Sequence, residues 1–479
     1  MSLSLAFNAA RSSISATATQ IDASTRNIAS ASDPNASRKI AMTTTLGSGG
    51  AYVVQVSRAH DNALYSRMVS ATSNTAKAEA KQTGLDQLEQ LVGDPTSGNT
   101  PSATLGAFNN ALSDYRNSPE ETALGTALVS AAKNLTTSLN TAAEAVKSVR
   151  KDADASISDS VATVNNLLKQ FAIANSAVIK ATSQGTDTTD ALDQRDAVLT
   201  QLSEEMGIST VTRSGNDMVI YTDSGATLFE TTARTVSFQT TNAFGADTVG
   251  ASVYVDGVAV SGPDATMTLK SGRIAGLTEL RDETTLTYQN QIDEIARGLI
   301  DTFTETDPTG TAPAMQGLFT ASDTADAGVA GRLGVNAAVD ANKGGSATLI
   351  RDGGINGTDY VRNADGAESY ADWLGTLTDS LSETRTFSAS GKIETNGTLA
   401  DYASASVSWL SGERQAASTK TTSESALLTY ASTALSNATG INLDDEYARQ
   451  LELEKTYQAS SKLIGVINEL YAALFQAVG

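Results

Sequence analysis

Apolar side chains follow a heptad pattern at both ends of this chain of 479 residues, in alternating steps of three and four positions. The first series is Leu3, Phe7, Ala10, Ile14, Thr17, Ile21, Ser24 and Ile28. The second series is Leu453, Tyr457, Ser460, Ile464, Ile467, Tyr471, Leu474 and Val478. Such spacing places one seam along one face of a helix, as in a coiled coil. The pattern predicts a helix at each terminus, and we interpret the large apolar members of both series as an assembly seam.

An amphipathic terminal helix can also pack on its own domain, without any partner. Two matched seams favour pairing of the ends with each other or with other copies, because chain termini are usually polar and frayed. Many seam positions hold Ala, Ser or Thr, so each residue buries little area, at about 25 cal/mol per Å². We therefore expect the seams to be marginal in an isolated chain and to need neighbours, whose binding adds stability by mass action.

Helical patterns fill most of the first half of the chain. Asp33-Pro34 should end the first helix near Ser32, because the residue before proline avoids the α region. Residues 39–56 are predicted to be a hairpin or two extended arms, with a turn at Gly47–Gly50. Helices are then predicted over 62–91 and 103–117, from Pro119 to beyond Lys180, and over 188–206.

The composition changes at Ile208, where Thr, Val, Gly and Asp become abundant as far as residue 269. Asp256-Gly257 between two short apolar runs predicts a hairpin with a type I′ turn. Helical spacing returns at Gly272, and residues 307–369 have no clear period, so they form either a long loop or a small irregular subdomain. Further helices are predicted over 372–381 and 402–436, and a last helix capped by Asn442.

These patterns predict a mainly α fold with an inserted β domain, arranged as a nested multidomain rod. Its N- and C-terminal helices, 1–45 and 437–479, would pair in a coiled-coil-like core domain with both termini at one end. Segments 46–207 and 272–436 would be the two halves of a helical domain, the second of which contains the irregular stretch 307–369. The β domain, 208–271, would have closely spaced ends and a core of its own.

Composition excludes several classes of function. The formal net charge of −21 and the pI near 4.4 argue against partners that carry phosphates, both nucleic acids and anionic membranes. Cysteine is absent and His60 is the only histidine, which removes disulfides and the usual zinc sites. The first residues lack the features of a cleaved signal peptide, and no apolar run reaches the length of a membrane span.

Candidate chemical sites are weak. His60 has no nucleophile motif to serve, so we expect a surface or interface histidine. Asp187, Asp190, Asp193 and Asp196 could bind a metal ion, but we predict a solvated helix start in which Arg195 is the local ionic partner. Around the last helix the charges alternate, which indicates either a solvated face or contacts that set register between subunits; these are Glu446, Arg449, Glu452, Glu454 and Lys455. We expect no enzymatic activity, cofactor or metal.

Three motifs resemble those of flagellar axial proteins. Asn27-Ile28-Ala29, followed by Pro34 and Ser37-Arg38, is similar to the signature of rod, hook and junction proteins. Asp193-Gln194-Arg195-Asp196 resembles a segment of the hook-associated protein 1 family that hook protein and flagellin lack. Asn442-Leu443-Asp444 with Glu446, then Tyr457-Gln458-Ala459, is similar to the C-terminal signature of that family. One departure is Asn35-Ala36, where the family has Gly-Tyr, so the turn after the first helix could differ.

The resemblance implies a structural component of the bacterial flagellum, outside the cell, that forms the junction ring between hook and filament. Implied partners are copies of the chain, the hook protein, the second junction protein beside the filament, and a cytosolic export chaperone on the C-terminal helix. Export would use the flagellar type III channel without a cleaved signal. Another axial protein, either hook protein or a hook-associated protein of different rank, is the alternative.

Overall fold

The structure, a computed structural model, describes residues 3–45 and 50–478, with side chains as far as residue 477. Most of these residues are helical. The α-helices of the described residues are α1 (Leu3–Ser30), α2 (Asn62–Val92), α3 (Pro101–Asn117), α4 (Thr122–Gln184), α5 (Thr189–Glu205), α6 (Arg273–Glu279), α7 (Thr285–Thr302), α8 (Thr348–Asp352), α9 (Asp372–Leu381), α10 (Leu399–Thr439) and α11 (Leu443–Val478). A π-helical turn, Leu280–Thr284, joins α6 to α7.

Short strands connect these helices and form sheets of two or three strands. They are β1 (Lys39–Thr45), β2 (Ala51–Arg58), β3 (Ile208–Thr212), β4 (Met218–Thr222), β5 (Thr227–Phe229), β6 (Val236–Ser237), β7 (Tyr254–Val255), β8 (Val258–Ala259), β9 (Thr304–Glu305), β10 (Met315–Gln316), β11 (Phe319–Thr320), β12 (Gly334–Val335), β13 (Arg385–Thr386) and β14 (Asn396–Gly397). The predicted fold class is therefore confirmed: the chain is mainly helical, small sheets are inserted, and the long terminal helices pair.

The two ends of the chain form a terminal unit, which consists of α1, the hairpin of β1 and β2, and α11. Within it, α1 and α11 run antiparallel. Ser13 Oγ lies 3.4 Å from Ser460 Oγ, and Ser24 Oγ donates to Glu446 Oε2 at 2.8 Å. On another side of α1 lies the antiparallel hairpin of β1 and β2, which pairs from Lys39↔Arg58 to Thr45↔Ala51. The sequence left open a hairpin or two separate arms, and the hairpin is the one observed. Most of its expected tip, Gly47–Gly50, is outside the described residues.

A second antiparallel pair, α2 with α10, continues from the terminal unit. Arg67 stacks on the ring of Tyr430 near one end, whereas Lys81 Nζ contacts Glu413 at 3.3 Å further along. The buried positions of α10 include a strict seven-residue repeat, Ala403, Leu410, Ala417, Glu424 and Ala431. Small residues allow the two helices to approach closely, because interaxial distance depends on the side chains at the contact.

The elements from α2 to α10 form the body of the molecule. The body is built around α4, which is continuous over 63 residues. It begins at Thr122 and not at Pro119, because Ser118–Glu121 forms a turn. Phe108 of α3, Phe303 after α7 and Phe319 of β11 meet edge to face with ring centroids 5.3 Å apart. Since Phe319 belongs to the aperiodic stretch 307–369, that stretch is a packed irregular segment and not a free loop.

Carboxylates fasten the irregular segment to the body. Glu305 is buried and accepts hydrogen bonds from the backbone N–H groups of Ile355 and Asn356, at 3.0 and 2.9 Å. Asp293 of α7 similarly accepts from the N–H groups of Gly328 and Ala330 at 2.6 and 2.9 Å. These bonds satisfy loop N–H groups that no helix or sheet pairs, which buried backbone requires.

The β region from β3 to β8 leaves and rejoins the helices at one point, as expected, since Gly207 N donates to Ser271 O at 3.0 Å. Its predicted type I′ turn is confirmed, because Asp256 and Gly257 both have positive φ, 50° and 83°. The expected separate core is not observed. Phe229 packs edge to face on Phe171 of α4 at 4.9 Å, and the buried residues of the region belong to one cluster with those of the helices.

Two buried arginines connect this region to the helices. Arg281, in the π-helical turn, pairs with Asp154 of α4 and with Asp282 at 2.6 Å each and donates to the carbonyl of Ala251. Arg150 donates to the carbonyls of Arg281, Gly245 and Thr248. Burial lowers the pKa of Arg150 to about 10, so the group remains charged at neutral pH. Charges in such a place are tolerated only when every one is compensated.

We expect Arg281→Met to destabilise the body by about 3–5 kcal/mol, because it leaves Asp154 and Asp282 as uncompensated buried charges. The matched control is Arg213→Met: the exposed Arg213 pairs with Asp217, and loss of such a pair costs about 1 kcal/mol or less. Thermal unfolding followed by circular dichroism measures both. Equal melting temperatures for the two variants would show that the buried arginine has no special structural role.

Candidate assembly site

The two heptad series come together in the α1–α11 pair. Leu453 and Ile467 are buried, whereas Leu3, Tyr457 and Leu474 are exposed. The remaining large members are partly buried: Phe7, Ile14, Ile21, Ile28, Ile464 and Tyr471. The side chain of Val478 lies outside the described residues. A single chain thus covers only part of the seam, and the assembly role of these residues stays a prediction.

On α1 the fully buried seam positions are the small or polar ones, Ala10, Thr17 and Ser24. Ser24 donates to the carboxylate of Glu446, which is also buried. A polar residue at one core position of a coiled coil fixes register, because any slip leaves it unpaired. Glu446 therefore makes a contact of this kind within one chain, and a role of the α11 charges in setting register between subunits stays a prediction. The solvated face holds Arg449, Glu452, Glu454 and Lys455.

An ion cluster joins the terminal unit to the body, and we call it the arm–α5 cluster. Its anions are Asp187, Asp190, Asp193 and Asp196, at and just before the start of α5; its cations are Arg26, Lys39 and Arg58. The spacing of three residues brings the four carboxylates to the side that meets α1 and the hairpin. The prediction of a solvated helix start holds for Asp190, whose side chain is 73% exposed, and is wrong for Asp193 and Asp196, which cations of the terminal unit largely cover.

Arg58, the last residue of β2, makes the central contacts of the cluster. Its Nη1 lies 2.9 Å from Asp193 Oδ1 and its Nη2 lies 2.6 Å from Asp196 Oδ2. The ammonium of Lys39 is buried and lies 2.9 Å from Asp190 and 3.7 Å from Asp193. Arg26 Nη2 lies 2.7 Å from Asp187 Oδ2.

Protonation equilibria in the cluster follow these contacts. Burial alone would raise the pKa of Asp187, but hydrogen bonds from Thr189 and Arg26 outweigh it and hold that pKa below its ordinary value. Burial likewise opposes the charge of Arg58, whereas Asp196 and Asp193 raise its pKa. Asp187 and Arg58 are therefore both charged at neutral pH.

Arg195 does not pair with the neighbouring aspartates, contrary to the prediction. It is buried on the opposite side of α5, where its Nη1 donates to Asn175 Oδ1 at 3.2 Å and to the carbonyl of Asn216 at 2.6 Å. Burial lowers its pKa. Arg195 thus fixes α5 to α4 and to the β3–β4 turn, while the aspartates face the terminal unit.

The motif residues of two distant segments meet in this cluster. Ser37 Oγ donates to Asp193 Oδ1 at 2.6 Å, across 156 positions of sequence. Asn27 orients the chain around Ser37, because its side chain makes two hydrogen bonds with the backbone of Lys39, at 2.8 and 2.9 Å. The local sequence around Arg26, Lys39 or Arg58 does not indicate that the aspartates of the cluster are their partners. The ion pairs form only because α5 lies beside the hairpin in the folded chain.

Other motif residues hold turns or face solvent. Arg38 N donates to Thr439 O at 2.9 Å, and Asn442 Oδ1 caps α11 by accepting from Asp444 N at 3.0 Å. Partly buried or exposed positions are Ile28, Ala29, Pro34, Gln194, Leu443, Tyr457, Gln458 and Ala459. The departure at Asn35-Ala36 fits the observed turn: Asp33 Oδ1 accepts from Asn35 N, and neither residue needs the left-handed conformation that favours glycine.

Sites for small-molecule chemistry are not evident. His60 lies at the edge of the arm–α5 cluster, with Nε2 2.7 Å from Asn62 Oδ1. Within the described ranges, no group of three or more His, Asp or Glu side chains is arranged to hold a metal ion. The Asn363 amide donates to the carboxylate of Asp352, the last residue of α8, and to the carbonyl of Ala367. No described helix combines the length and hydropathy that a membrane span needs.

Comparison with known proteins agrees with the resemblance seen in the motifs. Residues 85–319 match the family model of the flagellar hook-associated protein FlgK helical domain. Flagellar hook-associated protein 1 of Salmonella typhimurium is 26% identical over 373 residues, which are 74% of this chain and 64% of that protein. The Escherichia coli protein of the same name is 23% identical over 313 residues, 63% of this chain and 56% of its own. The chain therefore spans somewhat under two thirds of these relatives.

A solved structure, the flagellar hook junction protein FlgK from Burkholderia pseudomallei, also resembles the chain. It is 20% identical, with a TM-score of 0.44 over 54% of this chain and 47% of that one.

We expect Arg58→Gln to loosen the hairpin from α5, because Asp193 and Asp196 then lose a shared cation that is nearly buried; breaking such a pair costs about 3–5 kcal/mol. Amide hydrogen exchange across residues 50–58 should accelerate while exchange in α4 stays unchanged. Arg213→Gln, which removes one exposed positive charge elsewhere, is the control. Unchanged exchange in the hairpin would mean that the cluster does not dock the terminal unit.

We expect Glu446→Leu to stabilise the α1–α11 pair and to relax its register, because an apolar residue tolerates slipped neighbours that a carboxylate does not. The chain lacks cysteine, so Ser13→Cys with Ser460→Cys reports register by disulfide formation from a separation of 3.4 Å. Cross-linking should be efficient with Glu446 and reduced with Leu, whereas the exposed Gln458→Leu should have no effect. Equal cross-linking with Glu446, with Glu446→Leu and with Gln458→Leu would show that Glu446 does not set the register of the helix pair.

Proposed function

We propose that this chain, whose residues 85–319 match the family model of the FlgK helical domain, is a structural component of the flagellum that forms the junction between hook and filament. The observation that carries the proposal is the half-covered seam of the α1–α11 pair. A helix pair that leaves Tyr457 and Leu474 exposed gains most when neighbours cover it, so the terminal unit is suited to self-assembly. The names of the relatives place them at the hook, and the proposal extends that location to this chain.

We further propose that the terminal unit is the assembling part and that the remaining segments face outward. In this division, 1–45 and 437–479 form the core domain, 46–207 and 272–436 form the helical domain, and 208–271 is the inserted β domain. The contacts of Arg26 and Lys39 with the aspartates of α5 and its start support the division between core and helical domain. Because β2 pairs with β1, residues 51–58 would belong with the core domain. The shared apolar cluster of the β region means that it would act as a rigid part of the helical domain.

The proposed partners are copies of the chain, the hook protein on one side and the second junction protein on the other. A cytosolic export chaperone would bind α11 before export through the flagellar channel, in the way an amphipathic helix binds a groove. The exposed apolar residues of α11 support this mode of binding; they include Leu463, Val466, Leu470 and Phe475. The role is that of a building block rather than an enzyme.

Two observations favour a junction protein over another axial protein. The matched model describes the helical domain of a hook-associated protein and not of a hook protein. In addition, Asp193 and Asp196, from the motif that hook protein and flagellin lack, form the anionic side of the arm–α5 cluster. This motif therefore has a structural task, which is to set how the terminal unit meets the body.

We expect Ile464→Asp combined with Ile467→Asp to abolish motility and to release filament protein into the medium, because no junction forms. Ile467 is buried and Ile464 partly so, and burying unpaired carboxylates costs several kcal/mol. Thermal unfolding of the body should change little, since neither residue belongs to its core cluster. Binding of the export chaperone should also be lost.

The matched control is Ser461→Asp with Asn468→Asp, which adds the same charge to exposed positions of α11. Swimming assays, immunoblots of the medium and pull-down of the chaperone measure the outcome. If the isoleucine double variant builds filaments of normal length and binds its chaperone normally, α11 is not the assembly element.

A further inference from the structure

The hairpin presents an apolar face that nothing in the described chain covers. Met42, Tyr52 and Val54 are 54%, 45% and 60% exposed. They lie on one side of the hairpin together with Thr44 and Gln55. Thr44 pairs with Tyr52 and Met42 pairs with Gln55, and the β-bulge between these pairs places both Val54 and Gln55 opposite Met42. We call these five residues the hairpin face. An isolated two-stranded hairpin is marginally stable in water, so an uncovered apolar face is costly here.

The C-terminal half of α11 carries an exposed apolar surface beside the covered part of the seam, and the exposed seam residue Leu474 belongs to it. Leu463, Val466, Leu470 and Leu474 are separated by steps of three and four residues and are about half exposed, from 49% to 52%. Such spacing places them on one side of the helix. We call these four residues the α11 stripe. The first half of the same helix also exposes Leu443, Tyr447 and Leu451, but several charged side chains lie among them. The stripe differs because Glu469 is the only charged residue between its first and last members.

The hairpin face and the α11 stripe cannot cover each other within one chain, because α1 lies between the two elements. The hairpin rests on α1, where Gly50 sits against Ala9 and Ser12. On another side of α1, α11 is fixed by the contacts of Ser13 with Ser460 and of Ser24 with Glu446. Neither surface is therefore covered by the other within one chain. Another molecule has to supply the partner of each surface.

Charge favours a second copy of this chain at these two surfaces. Two molecules with a net charge of −21 repel each other over most of their surfaces. The hairpin is a neutral exception, since residues 40–57 contain no charged side chain. The end of α11 is nearly so, because Glu469 is the only charged residue from 463 to 478. Copies can approach at these two places with little repulsion and bury apolar area on contact.

We propose that the hairpin face of one copy packs on the α11 stripe of the next. Such a contact is heterologous, because two different surfaces meet. After each contact, every copy still has its other surface free for the next copy, so repetition yields a ring or a helix. A contact between two stripes would be isologous, would close at two copies and would leave both hairpin faces uncovered. The inference rests on the proposed function, since it states which surfaces mediate self-assembly.

Cysteine cross-linking in isolated flagella tests the proposal, and the absence of native cysteine makes every cross-link assignable. The chain with both Tyr52→Cys and Val466→Cys should give a ladder of dimers, trimers and higher oligomers on oxidation. Cells that express the two single variants together should give dimers only, and either single variant alone should give monomer. The control chain combines Val466→Cys with Ser15→Cys, an exposed position on the polar side of α1, and should give no ladder.

The outcomes separate this inference from the proposed function. Dimers from Val466→Cys alone would show stripe-to-stripe packing and overturn the heterologous contact. Absence of any ladder from the Tyr52→Cys and Val466→Cys chain, although the protein is present in the flagella, would also overturn it while the proposed function stands. Absence of the unmodified protein from purified flagella would instead reject the proposed function.

A charge swap provides a second measurement that does not depend on disulfide geometry. Val54→Asp or Val466→Asp alone should lower the amount of the chain in flagella several-fold, because each places one carboxylate in the contact. Val54→Lys combined with Val466→Asp should restore incorporation, since the two charges then face each other between copies. The contact would be contradicted if the Val54→Lys, Val466→Asp chain were no more abundant in flagella than the Val54→Asp, Val466→Asp chain.

Discussion

Antiparallel pairing of outgoing with returning helices is the constraint on which this structure depends. α1 is matched by α11 and α2 by α10, so every element between residues 93 and 398 is held as an excursion from one two-helix axis. The pairs are built largely from small side chains at heptad positions, which give close approach but little buried area. We therefore expect the terminal unit of a single molecule to be the less stable part, because among the described residues only the β1–β2 hairpin packs on its helix pair.

Buried charges supply the specificity that small apolar side chains cannot. With aromatic residues at only 5% of the chain, few large side chains are available to define how one element sits on another. Arg281, held by Asp154, binds the Ala251 carbonyl of the β region. Arg58 with Asp193 and Asp196 holds the hairpin, and Glu446 with Ser24 holds the register of the ends. Each contact penalises every alternative arrangement, because an unpaired buried charge is expensive.

The contrast between body and terminal unit fits a subunit that folds alone but completes itself in an assembly. The body has a continuous apolar cluster and anchored loops, whereas the terminal unit keeps Tyr52, Leu470 and Phe475 in solvent. Exposed apolar surface of this kind marks sites of interaction. Charged contacts join the two parts, and no described residue of α1 or α11 belongs to the apolar cluster of the body.

The sequence by itself determined the helices, the paired ends, the position of the β region and the resemblance to axial proteins. Periodicity and turn residues are local signals, so the heptads, the Asp256-Gly257 turn and the cap at Asn442 could be read from the chain alone. Only the tertiary structure decided that Asp193 and Asp196 bind the hairpin, that Arg195 faces the other way, and that Phe229 shares its core with Phe171. Those contacts join residues tens to hundreds of positions apart, and a charged or aromatic side chain carries no local mark of the partner that packing will bring to it.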